Sequence, residues 1–213
     1  MSLGSITLIN YNAGRRDDLH KQLYDLVGDR LNIRSYVYDQ LAPGQNYRDD
    51  LVVITAPFVR EEILACLAPD TPYVVARRVV RMENLGRLFE IPEGSHVLVV
   101  YNLYEGAVEL AKDLRELGVT HFYMHGYAND RPLERDFEYA ITLQPELVPP
   151  GIPHVINLGM RDLSLSTVGQ ILSFFTGESA IDELVTQRYI RSAVNSAAEL
   201  SEERKCSTRL KEQ

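Results

Sequence analysis

The sequence predicts an α/β protein in which parallel strands alternate with amphipathic helices. Three observations carry this. First, Val97-Leu98-Val99-Val100 is an unbroken aliphatic run of the kind found in strands buried on both faces. Second, it passes through Tyr101-Asn102 into a helical pattern of Leu103, Ala107, Leu110, Ala111, Leu114 and Leu117, with Glu109, Lys112, Asp113 and Glu116 opposite. Asn102 is expected to cap this helix and Gly118 to end it in a left-handed conformation. Third, the same strand-then-helix rhythm recurs along the chain, which is the signature of a parallel sheet with helical crossovers.

Taken in order, Ile6 to Tyr11 reads as a first strand. Leu19, Leu23, Leu26 and Val27 mark a helix that ends at Gly28. Leu31 to Tyr38 alternates as a second strand, and Ala42 to Asn46 is turn-rich. Leu51 to Thr55 is a third strand, followed by a short helix over Glu61 to Leu67. Tyr73 to Ala76 is a fourth strand, with Arg77-Arg78 and a helix around Asn84 to Phe89 behind it. After Pro92-Glu93-Gly94 the pattern resumes, with short strands at His121 to Met124, Tyr139 to Thr142 and Val155 to Leu158. Leu165 to Phe175 is a helix closing at Gly177.

Two runs of strand and helix around Pro92 divide the chain into a first lobe over residues 1–91 and a second over 92–177. A single doubly wound sheet would produce nearly the same pattern, and no residue-level repeat links the halves. Residues 178–213 read as one long helix capped by Ser179. Ile190, Ala193, Ala197 and Leu200 keep a 3–4 spacing before the seam lapses at Arg204 and Ser207. Such a helix either packs on the globular body or connects to a further domain, with pairing in a homodimer as one use of its seam.

Composition narrows the function classes. At 213 residues, with 45% hydrophobic and 24% charged residues, the chain has the makeup of a globular protein. No apolar run approaches the ~18 residues needed to span a bilayer, so no membrane role is expected. No secretory pattern opens the chain, and Cys66 and Cys206 are too few for a disulfide framework. Cytoplasmic placement is therefore expected. The net charge of −8 argues against direct DNA contact, because phosphate backbones are gripped by Lys and Arg.

In open parallel sheets ligands gather beyond the carboxyl ends of the strands. Those positions hold Asn12, Gly14, Thr55, Arg77, Arg78, Asn102, Tyr104, His125, Tyr127 and Arg161, which form the predicted ligand-binding set. The set is polar, and its full charges are arginines, so it suits a small polar or anionic molecule. Each arginine can equally be solvated or paired with nearby acids. Helix N-termini near Gly14 and Leu103 would add backbone donors. The Tyr101-to-Tyr104 turn is expected to face Arg77-Arg78 and Asn12-Ala13-Gly14 across a cleft.

Catalytic signatures are missing: there is no Walker-type phosphate loop, no G-x-G-x-x-G after the first strand and no G-x-S-x-G. His121 and His125 sit four residues apart, in or just after a strand, and four residues along a strand span ~13 Å, too far to share a metal directly. Neither a metal nor a cofactor is expected. Cys66 falls inside an amphipathic helix and reads as packing. A phosphoacceptor receiver domain needs carboxylates after its first and third strands to hold Mg²⁺. Asn10-Tyr11-Asn12 and Ile54-Thr55 stand there instead, which excludes it.

With Val74-Val75-Ala76-Arg77-Arg78, the strand–helix unit from Val97 to Gly118 and Asn157-Leu158-Gly159-Met160-Arg161-Asp162-Leu163-Ser164-Leu165-Ser166-Thr167, the chain resembles the N-terminal sensory region of bacterial sigma-54-dependent transcriptional activators, of the type related to the propionate-catabolism regulator. The resemblance covers roughly residues 5 to 200. It implies two flavodoxin-like (Rossmann-like) lobes enclosing a small-molecule effector. It also implies a connector helix leading to PAS, ATPase or DNA-binding domains, and no enzymatic activity in this segment. The other reading is a small isomerase or racemase using His125 or Asp162 as acid or base.

Overall fold

A computed structural model describes residues 3–11, 13–133, 135–177 and 181–195. The protein is mixed α/β, and its contacts divide it into two compact units: Met1–Val79 together with Asp162–Gln213, and the continuous segment Val80–Arg161. The chain passes between them within two short strands, β5 (Arg78–Val80) and β10 (Arg161–Leu163), which pair with each other.

The first unit is built on strands β1 (Gly4–Asn10), β2 (Leu31–Val37), β3 (Leu51–Ile54) and β4 (Tyr73–Val75). They form a parallel sheet in the order β2-β1-β3-β4. Because side chains alternate across a strand, Ile6, Leu8, Leu51 and Val53 face one side and Ile9, Val52 and Ile54 the other. Leu19, Leu23, Leu26 and Val27 of α1 (Ala13–Val27) cover the first side, with Val168, Ile171 and Leu172 of α5 (Leu165–Thr176). Ile63 of α2 (Arg60–Leu64), Val59, Cys66 and Leu67 cover the second.

Below that second face, polar residues take over. Buried Asp49 accepts hydrogen bonds from the hydroxyls of Ser5 and Thr7, the latter at 2.5 Å, and Thr7 also meets the Tyr47 hydroxyl at 2.7 Å. This carboxylate ties the loop before β3 to the central strand.

The second unit repeats the arrangement. Strands β6 (His96–Val100), β7 (Tyr123–Tyr127), β8 (Tyr139–Thr142) and β9 (His154–Asn157) are parallel in the order β7-β6-β8-β9. Helix α4 (Tyr104–Glu116) lays Ala107, Leu110, Ala111 and Leu114 on Val97 and Val99. The same core takes in Val80, Leu88, Ile91 and Leu85, the last from α3 (Met82–Leu85). On the opposite face Leu98, Val100 and Ala140 pack on Phe137, with Leu147 from a single 3-10 turn (Pro145–Leu147) and Val148 and Ile152 from the loop after it. Each unit thus carries its own core.

Several expectations require correction. The second lobe does not run from 92 to 177: α5 carries its apolar stripe to the first sheet, and the second unit begins at Val80 and ends at Arg161. Strand β7 lies two residues later than expected, because Val119 and Phe122 turn into the core before the strand begins at Tyr123. Asn102 does not cap α4. The chain stays extended through Leu103, which holds the cap position with no side-chain hydrogen bond. Gly118 and Gly177 do adopt the expected left-handed conformation, with φ of 89° and 72°.

Of the long C-terminal helix, residues 183–195 are helical, and Ser179 and 196–213 lie outside the described residues. This helix is capped by Asp182, whose carboxylate accepts from the Val185 amide at 2.9 Å. It is also fastened to the first unit. Val185 is buried in the core there, and Arg188 donates both to the Leu26 carbonyl and, in a two-bond pair, to Asp29.

Candidate ligand-binding site

The predicted residues fall into three groups. Within the first unit, Thr55 is buried, and its hydroxyl lies 3.1 Å from the Ile9 carbonyl and 2.9 Å from Oδ1 of Asn10. It ties the ends of β1 and β3 together at the point where strand order reverses, the position topology favours for a ligand. Thr142 does the same in the second unit, donating to the Val100 carbonyl at 3.1 Å. Both reversal points are therefore occupied by the protein's own hydrogen bonds. Asn10, missed in the sequence reading, is wholly buried there with its amide nitrogen unpartnered. Gly14 is exposed near the start of α1, and no atom approaches the space a β-carbon would fill. Asn12 lies outside the described residues.

The arginines divide. Arg77 is exposed, and its backbone is fixed to the start of α5, donating to Thr167 Oγ1 at 2.9 Å and accepting from the Ser164 amide at 2.9 Å. Arg78 is buried in β5. Arg161 is only 4% exposed. Its guanidinium reaches Asp113 at 3.5 Å, Glu109 at 3.6 Å and the Tyr101 hydroxyl at 3.3 Å. This network ties β10 to α4. Arg161 therefore serves as an internal strut, since a guanidinium so paired and buried presents little to a ligand.

The third group converges. Tyr104, His125 and Tyr127 line one cavity of about 360 Å³ in the second unit, with Leu98, Met124, Gly126, Arg131, Pro132, Leu133 and Phe137. Local geometry explains how. Tyr104 opens α4, so its ring stands beside the edge strand β7. His125 and Tyr127 alternate with Met124 and Gly126 along β7, so the cavity draws on both faces of that strand. A β-carbon on Gly126 would lie 3.4 Å from both Tyr104 and Val108 and 3.6 Å from Ala107, so its absence lets α4 pack closely on β7. Asn102, by contrast, is exposed and does not line the cavity.

Arg131, which sequence reasoning missed, places its guanidinium 3.8 Å over the centre of the Tyr104 ring. Such an ion–quadrupole contact holds a cation in position while leaving its edge free to donate. Behind His125 stands His96, its Nδ1 2.8 Å from His125 Nε2. At that distance one ring nitrogen donates and the other accepts, so the pair shares one proton. Among the described residues no group of three or more metal-ligating side chains comes together.

No protein-family model matches the chain, and neither a curated protein nor a solved structure matches it. Among the described residues no helix is long and apolar enough to cross a membrane.

Proposed function

We propose that the chain is a ligand-sensing regulatory region, of the kind found at the N-terminus of sigma-54-dependent activators, and that its effector binds in the cavity beside β7. The cavity carries the reading. Its volume lies within the range of small-molecule sites, and three of the ten predicted ligand residues line it. Its lining mixes apolar side chains with a guanidinium, an imidazole and two phenols, groups that can orient a small molecule.

Two units of the same strand order, flavodoxin-like in this reading, fit the sensory region that the resemblance implies. A sensor works by binding one conformation more tightly than another, so the effector's differential affinity would set the signal. The C-terminal helix would carry that signal onward to downstream domains, and pairing of two copies would use the face bearing exposed Ile190 and Val194. In this reading the protein is cytoplasmic, contacts neither DNA nor membrane through this segment, and needs no cofactor.

The second reading, an acid–base enzyme, draws support from the imidazole pair at the cavity wall. Turnover of a cavity-binding compound, abolished by His125→Ala, would favour it; binding without turnover favours the sensor. The direct test of the sensor is a thermal-shift screen of a metabolite panel. A binder should raise Tm in the native chain and lose that effect in Leu133→Trp, which fills the cavity from an exposed loop position. Equal protection of both proteins would place the site elsewhere.

A further inference from the structure

We infer that the ligand of this cavity is an anion with an apolar body: an aromatic or branched aliphatic monocarboxylate. Its head group would meet Arg131 and its body would lie between Phe137, Leu98 and Met124. The inference rests on the reading that the cavity beside β7 is the binding site.

The charges point this way. Arg131 is the one lysine or arginine among the described residues lining the cavity, and no aspartate or glutamate is among them. The chain as a whole carries a net charge of −8, which disfavours an anion everywhere that lacks a local cation. Arg131 supplies that cation already positioned, because its guanidinium lies against the Tyr104 ring. A planar guanidinium held by one face still offers its N–H edge, and two parallel N–H donors match a carboxylate's two oxygens. A single such fork suits one carboxylate. A second carboxylate would find no second cation among the described residues lining the cavity.

The walls define the rest. Phe137 is buried, and its ring centre lies 5.5 Å from that of His125, so an aromatic surface borders the space. Flat rings and branched carbon chains pack against such a surface.

Calorimetric titration of the full chain with benzoate, benzamide, 3-methylbutanoate and succinate tests this. Benzoate and 3-methylbutanoate should bind, with benzamide and succinate each weaker by about tenfold or more, the usual worth of a charge-assisted hydrogen-bonded pair. Arg131→Gln should bring benzoate down to the level of benzamide and leave benzamide unchanged. Equal binding of benzoate and benzamide, their persistent discrimination in Arg131→Gln, or no carboxylate binding at millimolar concentration would overturn the inference.

Two filling variants separate this from the location of the site. Leu133→Trp and Pro132→Trp, both at exposed loop positions in the lining, should each abolish binding of every probe. If they do so while benzamide matches benzoate, the cavity stands and the anion fails. If neither changes the binding of any probe, the location itself fails.

Discussion

Arg161 and Arg131 illustrate what a residue's chemistry can and cannot announce. Both are arginines near strand or loop ends, but one is consumed by Glu109, Asp113 and Tyr101, while the other lies on the Tyr104 ring in a cavity. The sequence shows the charge and hides the partner. Glu109 and Asp113 read as the solvent face of α4, and only the return of the chain at β10 turns them toward a buried cation. Truncating Arg161 removes the buried cation that these two carboxylates share, one largely buried and one half solvated, so Arg161→Ala should cost about 2–3 kcal/mol in urea unfolding. Cys66 was legible as packing. It is 4% exposed, and burial pushes its thiol upward, so alkylation of the native protein by iodoacetamide at neutral pH should be far slower than of the urea-unfolded chain.

At the scale of elements, long periodic segments were readable and short ones were displaced. The pattern of Ala107, Leu110, Ala111 and Leu114 placed α4, and Gly118 placed its end, because both reflect local chemistry. Its start was misplaced, since a capping side chain works only where the backbone turns, and that turn comes one residue after Asn102. The vacancy is open to improvement. Leu103→Asp should stabilise the protein by about 0.5–1 kcal/mol, read as a raised urea midpoint, by supplying the missing acceptor near the helix N-terminus. The displacement of β7 had the larger consequence, because two residues' shift put His125 within a strand and moved the following loop, with Arg131, into the cavity wall.

The C-terminal helix shows how an element is held. Arg188 lowers the Asp29 carboxyl below its ordinary 3.8, and the Val185 amide followed by Arg30 does the same for Asp182. A depressed carboxylate contributes stability above its unfolded pKa and loses it as pH falls through the folded value. The arginines stay charged throughout, so the attachment should weaken only in acid, below about pH 4. Both pairs are partly solvated, and each is worth about 1 kcal/mol or less. Hydrogen exchange of residues 183–195, corrected for the intrinsic pH dependence, should show protection dropping there before the core of the first unit. Simultaneous loss would contradict this.

For the whole molecule, the α/β class followed from alternation alone, but the division of the chain did not. An amphipathic helix such as α5 records that it covers an apolar sheet and carries no label for which sheet. Two sheets of the same strand order, each with its own core, offer it equivalent surfaces. Because Val80–Arg161 is continuous and encloses two core clusters, it should fold when expressed alone, giving a cooperative thermal transition and dispersed amide resonances. The same logic explains why the site was half legible. Tyr104, His125 and Tyr127 were found because they flank one strand–helix crossover. Gly14, Thr55 and Arg77 were set beside them by analogy between strand ends that belong to different units.

The most direct test of the central claim is an amide chemical-shift titration of the isotope-labelled full chain with a compound selected by thermal-shift screening. Binding in the cavity predicts saturable shifts concentrated at Tyr104, Gly126, Tyr127 and Leu133, all lost in Leu133→Trp. Saturable shifts confined to residues outside Val80–Arg161, or unchanged by that substitution, would contradict it.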